Sequence, residues 1–138
     1  MWEFLDYVTD SGSVPVEQWT LSLTAQERAD FDMAIDYLQK INDWDSVRRA
    51  SRKYRELKRE LVGLTELKFS RITQSMGRNR KIHFRPVGIM NRRQRQFIFL
   101  GGFQKSSSGP IPSNAQTLAL RYKREYESGR GSTRAHKT

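Results

Sequence analysis

Three stretches in the middle of the chain alternate between apolar and polar residues, which is the pattern of β-strands with one buried face. They cover residues 64–71, 80–87 and 96–102, and each is rich in β-branched or aromatic side chains. Turn-forming residues around Gly77 and Gly88 separate them, and the connections are short enough for antiparallel hairpins. The pattern therefore predicts an antiparallel sheet at the centre of the fold.

Further strand and helix patterns lie on both sides of these stretches. Residues 1–9 form an aromatic run that we interpret as a first strand, and Pro15 then fits the first position of a short helix. Thr24 and Glu27 have the spacing of a capping box, which predicts a helix over residues 25–41. We expect much of the core to come from the 25–41 helix and the three central strands: Phe31, Ile35, Leu38, Leu67, Phe69, Ile82, Phe84, Ile98 and Leu100.

The remaining segments complete an α+β fold in which helices cover the apolar face of the sheet. A last helix is predicted over residues 115–127, with Gly129 as its left-handed end. Residues 42–60 have only a weak helical period and predict an irregular stretch leading into a short helix. The length favours one domain, over residues 1–128, followed by a basic flexible tail over residues 129–138.

The net charge of the chain suggests that this fold binds a charged partner. Charged residues make up 29% of the chain and the formal net charge is +10, which favours polyanionic partners. A generally basic protein without such a partner is the alternative. The polar positions of the predicted strands are mostly basic: Lys68, Arg71, Arg80, Lys81, His83, Arg85 and Lys105. The sheet is therefore expected to have one apolar face and one basic face.

A second basic segment lies in residues 42–60. It is the most basic part of the chain and includes Arg52, Arg55 and Arg59. Such a run is either a solvated surface or a footprint for the phosphates of RNA or DNA. The pattern alone leaves both interpretations open.

Several classes of site are not expected. The chain has no cysteine, which excludes disulfides and thiolate metal sites, and its two histidines lie far apart in sequence. We therefore expect no metal and no cofactor. No apolar run approaches the roughly 18 residues of a membrane span. The N-terminal residues Glu3 and Asp6 do not fit a signal peptide, so we expect a cytoplasmic protein.

Four stretches, taken in order, resemble the RelE/ParE superfamily of small toxins from bacterial toxin–antitoxin pairs, and within it the HigB-like subgroup. The LTELK segment of residues 64–68 resembles the family's Leu-x-Glu-Leu-Arg, and the RKIHF segment of residues 80–84 resembles its next basic strand. The LGGFQK segment of residues 100–105 resembles Leu-His-Gly-Phe-x-Lys. The ALRYKREY segment of residues 119–126 resembles the closing helix. Ser106 departs from the pattern, because a second lysine is common there.

The resemblance implies a twisted antiparallel β-sheet with helices packed on one face, and ribosome-dependent cleavage of mRNA. Phosphate contact and charge stabilisation are then expected from Lys68, from Arg80 or Lys81, and from Lys105. His83 and Tyr126 are candidates for proton transfer, although each could equally be a packing residue. Further RNA contacts are expected from the other basic residues named above: Arg52, Arg55, Arg59, Arg71 and Arg85.

The same resemblance implies partners and leaves alternative functions open. The partners are a cognate antitoxin of the helix-turn-helix class, the ribosome and mRNA, with no membrane. One alternative is a ParE-like toxin that acts by binding DNA gyrase. Another is a nucleic-acid-binding module without catalytic activity. The basic strand face and His83 favour the nuclease, whereas Ser106 in place of the second lysine favours the alternatives.

Overall fold

The computed structural model describes residues 1–105 and 110–137, so Ser106 and Thr138 lie outside the described residues. In chain order its strands are β1 (Glu3–Val8), β2 (Tyr54–Glu56), β3 (Thr65–Leu67), β4 (Phe69–Ser75), β5 (Arg78–Asn91), β6 (Gln96–Lys105) and β7 (Ser132–Ala135). Its helices are α1 (Pro15–Thr20), α2 (Ala25–Gln39), α3 (Arg48–Ser51) and α4 (Ser113–Glu127), with a 3₁₀ turn at Arg59–Leu61. The chain is thus of the α+β class.

The strands of the described residues form one sheet in the order β2-β3-β5-β6-β1-β7, and β4 pairs with the part of β5 that β3 leaves uncovered. The three strands predicted from alternation are confirmed as antiparallel neighbours. The first of them is divided at Lys68 into β3 and β4. β1 runs parallel to β6, so the sheet is mixed rather than wholly antiparallel.

The sheet is covered on both faces. One core, the α2-side core, contains Phe31, Ile35, Leu38, Val16, Trp44, Phe97 and Phe99 among its buried residues. The other, the α4-side core, contains Tyr7, Leu64, Val87, Ile98 and Leu100, and α4 packs on it. The expectation of helices on one face is therefore wrong for α4. Four consecutive residues of β6 are apolar, and because successive side chains point to opposite faces, both faces need cover.

The helix starts follow the local signals in the sequence. Pro15 is the first residue of α1. At the start of α2, the Glu27 backbone N–H donates to Thr24 Oγ1 at 3.2 Å, and the Thr24 N–H donates to Glu27 Oε1 at 2.8 Å. The predicted capping box is thus confirmed. None of the helices in the described part of the chain has the length and apolar character needed to cross a lipid bilayer.

Within residues 42–60, the irregular stretch 42–47 leads into the short helix α3, as predicted, but the chain then forms the edge strand β2, which the pattern does not predict. Trp44 is buried, and its Nε1–H donates to the Leu38 carbonyl at 2.8 Å, which closes the end of α2. The Tyr54 ring packs 5.7 Å from the Trp44 ring. A three-residue strand is too short to show alternation, which is why the pattern does not reveal β2.

The C-terminal segment also differs from its prediction as a flexible tail. α4 ends in a Schellman motif, in which the Arg130 N–H donates to the Glu125 carbonyl and Gly129 has a φ of 81°. The reversed chain then forms β7, which pairs antiparallel with β1. His136 follows β7, and its backbone N–H donates to the Phe4 carbonyl at 2.9 Å. The segment therefore extends the sheet by one strand.

The His136 side chain closes one end of the α2-side core. It is 8% exposed and lies 5.0 Å from the Phe99 ring and 5.6 Å from the Phe31 ring. Its Nδ1 lies 2.6 Å from Oδ1 of Asp6, a carboxylate that is only 2% exposed. The other oxygen of Asp6 lies 3.3 Å from Arg134 Nε. A buried carboxylate of this kind depends on its partners.

We expect His136→Ala to lower the free energy of unfolding by about 1–3 kcal/mol, because Asp6 loses a buried hydrogen-bond partner. Urea denaturation followed by circular dichroism measures the change. Lys137→Ala is the matched control, since the neighbouring side chain is exposed, and it should change the free energy by less than about 0.5 kcal/mol. Equal effects of the two substitutions would contradict a structural role for the tail.

Candidate nucleic-acid interface

A broad groove opens where β3 gives way to β4. Its volume is about 870 Å³. We call it the basic groove, and it is lined by Arg48, Arg49, Arg52, Lys53, Lys68, Phe69, Ser70, Lys81, His83 and Arg85. Among the lining residues, only Phe69 and Ser70 are neither basic nor histidine. A surface of this composition has the electrostatic character of a phosphate-binding site.

The groove is built at the break between β3 and β4. Lys68 lies between the two strands, and its backbone N–H donates to the Lys53 carbonyl at 2.8 Å. This hydrogen bond ties the segment that contains α3 to the sheet. As a result, one wall of the groove comes from residues 48–53 and the other from the strands.

Strand register places the groove residues of the sheet on one face. His83 pairs with Ser70 on β4 and with Lys105 on β6. Because side chains alternate along a strand, Lys81, His83 and Arg85 share a face. Phe84 points the other way, where it is fully buried and stacks on Phe69 at a centroid distance of 5.0 Å. The same strand thus supplies the core and the groove.

A buried carboxylate lies beneath this face. Glu66 is 1% exposed, and its Oε1 lies 2.8 Å from Arg55 Nη2 and 3.8 Å from Arg85 Nε. Arg85 also donates from Nη1 to the carbonyls of Phe84 at 3.1 Å and Phe69 at 3.3 Å. Burial lowers the pKa of Arg85 from its usual value, and the Glu66 carboxylate opposes this change. Glu66 and the two carbonyls thus fix the guanidinium within the groove.

The imidazole of His83 has a defined hydrogen-bonding role. Arg85 Nη2 lies 3.2 Å from His83 Nδ1, and a guanidinium can only donate, so Nδ1 accepts. The proton of the neutral ring is then on Nε2. Burial lowers the pKa of His83 below 6.5, and the charges of Arg85, Lys81 and Lys105 lower it further. At neutral pH, His83 is therefore an uncharged donor through Nε2 rather than a cation.

The surroundings of Lys68 disfavour its charge. Burial lowers its pKa from 10.5, and the nearby cations Arg55, Arg85 and Lys105 lower it further, while Glu66 opposes them. A lowered pKa increases the fraction of neutral amine, which can accept a proton. This perturbation, within a concave surface, is typical of functional sites.

The wall formed by residues 48–53 is braced against α2. The Arg49 guanidinium lies 4.9 Å from the centre of the Tyr37 ring, and the Lys53 ammonium lies 5.6 Å from it. Sequence reasoning selected Arg52 from this wall as an RNA contact. Arg48, Arg49 and Lys53 belong to the same basic segment, residues 42–60, but were not selected individually. One signal could have pointed to the whole surface, since residues 67–124 contain no Asp or Glu.

The structure brings together only part of the predicted site. Lys68, Lys81, His83, Arg85 and Arg52 line the groove, and Lys105 lies directly opposite His83.

The other predicted site residues do not line the groove. By strand alternation Arg80 points to the opposite face from Lys81. Arg71 forms an ion pair with Asp30 of α2 at 3.8 Å, and Arg55 pairs with Glu66. Arg59 is exposed in the 3₁₀ turn, and Tyr126 packs in the α4-side core against Tyr7.

Comparisons with protein-family models, with curated proteins and with solved structures give no match to this chain. Among the described residues, no cluster of three His, Asp or Glu side chains has the arrangement to hold a metal ion. The function must therefore be argued from the groove itself.

Proposed function

We propose that this protein is the toxin of a type II toxin–antitoxin pair and cleaves mRNA on the ribosome. The observation that carries the proposal is the basic groove, which gathers cations around a lysine of lowered pKa and a neutral histidine. RNA is the polyanion that combines a phosphate to bind with a 2′-hydroxyl to activate. The mixed α+β fold is compatible with a RelE/ParE-like toxin, and the finer likeness is part of the proposal.

The groove residues can be assigned to the steps of RNA cleavage. The 2′-oxygen attacks the adjacent phosphorus while the bond from phosphorus to the 5′-oxygen breaks. Lys68, in the neutral form that its lowered pKa makes more accessible, accepts the proton of the 2′-hydroxyl, and the Lys81 ammonium gives a proton to the leaving 5′-oxygen. The products are a 2′,3′-cyclic phosphate and a 5′-hydroxyl end. The reaction needs no external reactant.

Fixed positive charge stabilises the transition state of this reaction. Arg85 is held in place by Glu66 and two carbonyls, so it can meet the developing charge on the phosphate without reorganisation. The Nε2–H of His83 donates to a non-bridging oxygen. The groove side chains Arg48 and Arg52 bind neighbouring phosphates of the strand.

The proposal includes a partner and a location. An antitoxin of the helix-turn-helix class would neutralise the toxin through an acidic segment that covers the basic groove, because charge complementarity raises both specificity and the association rate. The substrate and the ribosome place the toxin in the cytoplasm. Binding between the two proteins should weaken as salt concentration rises.

A second candidate function is nucleic-acid binding without cleavage. It is favoured by the position of Tyr126, which packs against Tyr7 in the α4-side core and contributes no phenol to the groove. In this alternative the same cations bind phosphates, and Lys68 has no proton to accept.

We expect induced expression of the wild-type protein in bacteria to arrest growth and to create new mRNA 5′ ends, and Lys68→Ala to slow this cleavage by about 10²-fold or more. Sequencing of 5′ ends after induction measures the cleavage. Lys58→Ala is the control, because this exposed lysine lies outside the groove lining, and it should cleave like the wild type.

Each contrary outcome identifies an alternative. Growth arrest without new 5′ ends would favour a gyrase inhibitor of the ParE type. Normal growth at ordinary expression levels would favour the non-catalytic binding module. New 5′ ends that persist at full rate in Lys68→Ala would remove Lys68 from the mechanism.

A further inference from the structure

Among the described residues, β4 and β5 form a two-stranded arm beside the groove. In the described part of the chain, β6 ends at Lys105 opposite His83, whereas β4 and β5 continue as a pair to Ser75 and Arg78. We call residues 72–81 the β4–β5 arm. The five residues of β5 beyond His83 extend it by roughly 17 Å, at about 3.4 Å per residue. The arm is therefore long enough to enter a groove of another molecule.

The tip of the arm is a tight turn. Met76 and Gly77 connect the strands, and both have positive φ values, 54° and 75°. Positive φ at both central residues is the signature of a type I′ turn, whose twist matches that of the flanking strands. Asn, Asp and Gly are the residues that favour this conformation. Met76 is not one of them, and its side chain is 99% exposed.

This choice of residue does not serve the fold. An apolar side chain at the tip contributes no burial, and its backbone conformation is unfavourable for a residue with a Cβ. Local rules are broken in this way mainly at functional sites. Ile72, on the shaft of the arm, is also 66% exposed. The arm thus has an exposed apolar side chain at its tip, Met76, and a second one, Ile72, on β4.

The charges of the arm are of one sign. Its cations are Arg78, Arg80 and Lys81, all exposed, and it contains no Asp or Glu. Alternation along β5 places Arg78 and Arg80 on one face and Lys81 on the other. An arm that lay flat on a surface would use only one of these faces. An arm inserted between two phosphate backbones would use both.

We propose that the β4–β5 arm is a second nucleic-acid contact that inserts into a groove of a double-helical segment, with Met76 against the bases. The major groove of B-form DNA can admit a two-stranded β-ribbon, and Met is among the apolar side chains that proteins insert as wedges at base steps. Lys81 also lines the basic groove, so the two surfaces are continuous. The ligand that fits both is a strand that leaves a helix, with its duplex part on the arm.

The test compares charge removal at the two ends of β5, next to the turn that joins it to β4 and in the turn that joins it to β6. The arm variant is Arg78→Gln with Arg80→Gln. The matched control is Arg93→Gln with Arg95→Gln, because these exposed arginines lie in the turn at the other end of β5 and lower the net charge equally. Binding of the purified full chain is measured by fluorescence anisotropy. The probes are an RNA stem-loop with a single-stranded 3′ extension, an unstructured RNA of equal length and a DNA duplex.

We expect the arm variant to bind the stem-loop about tenfold or more weakly. The slope of log K against the logarithm of salt concentration should become shallower by the amount expected for about two phosphate contacts. The control should lose less than about twofold. Met76→Ser should weaken stem-loop binding by about tenfold without changing the salt dependence, since it removes an apolar contact. An arm-specific loss with the DNA duplex as well would support a groove contact that does not require the 2′-hydroxyls. A loss with RNA alone would support a contact that includes the 2′-hydroxyls.

The proposal is overturned if the arm variant and its control lose affinity equally for every probe, because the arm would then act only through the net positive charge of the protein. It is also overturned if Met76→Ser binds like the wild type, or if the arm variant keeps its nucleic-acid affinity and loses a protein partner. Thermal melting of both double variants excludes unfolding as the cause, since exposed cations contribute little stability. The binding assay does not require cleavage, so a Lys68→Ala protein that binds but does not cut separates this proposal from the proposed function.

Discussion

Replacement of Phe31 by alanine is expected to lower the free energy of unfolding by about 3–5 kcal/mol. The Phe31 side chain is 2% exposed and joins α1, α2, β4 and β6 through ring contacts. Its centroid distances are 5.7 Å to Trp19, 5.7 Å to Phe69 and 5.4 Å to Phe99. Truncation removes both the buried area and these aromatic contacts, and the rigid sheet cannot collapse to fill the space.

Urea denaturation of wild type and variant measures this effect. Met33→Ala is the matched control, because Met33 lies on the same helix with 68% of its surface exposed, and a change within about 0.5 kcal/mol is expected. If Phe31→Ala cost no more than Met33→Ala, the packing of α2 on the sheet would be wrong.

Local signals were sufficient to predict the elements that carry a strong pattern. Thr24 and Glu27 define the start of α2 through contacts within one turn, and the alternation in β5 and the continuous apolar run in β6 follow from burial of those strands. The packing of α4 on the face of the sheet opposite to α2 could not be predicted in this way. The apolar face of a helix shows that it is covered, but not which face of the sheet covers it.

The elements that the sequence did not reveal are short or polar strands that depend on distant partners. All four residues of β7 are exposed, so burial imposes no pattern on it. Its position follows from the turn at Gly129 and from His136, which binds Asp6 across the whole length of the chain. The small, polar and basic composition of this segment led to its prediction as a flexible tail.

The candidate site shows the same limit. Lys81 and His83 could be predicted because they occupy polar positions of a strand with clear alternation, and Lys68 because it is a polar position in the alternating stretch 64–71. The opposite wall comes from residues 48–53, whose position depends on the hydrogen bond from Lys68 to Lys53 rather than on any local period. Tyr126 lay in a plausible motif, yet helical geometry turns it toward Tyr7 and the core.

Glu66 connects the fold to the groove, and replacing it gives the second large expected effect. The side chain is buried between Arg55 and Arg85, and its Oε2 accepts no hydrogen bond from the described residues. Glu66→Gln removes the negative charge with little change of shape. Arg85, which is 9% exposed, is then a buried cation without a counter-charge. We expect a loss of about 3–5 kcal/mol in the free energy of unfolding.

A second variant separates charge pairing from packing. Replacing both partners, Glu66→Met with Arg85→Met, should be close to neutral in stability, because a buried ion pair contributes little beyond apolar residues of similar volume. The same double variant should still lose RNA binding, since the groove loses a fixed guanidinium. Chemical denaturation and RNA binding of the two variants measure both effects. If Glu66→Gln and the double variant were equally unstable, Glu66 would matter for packing, and its charge would not be what holds Arg85 at the groove.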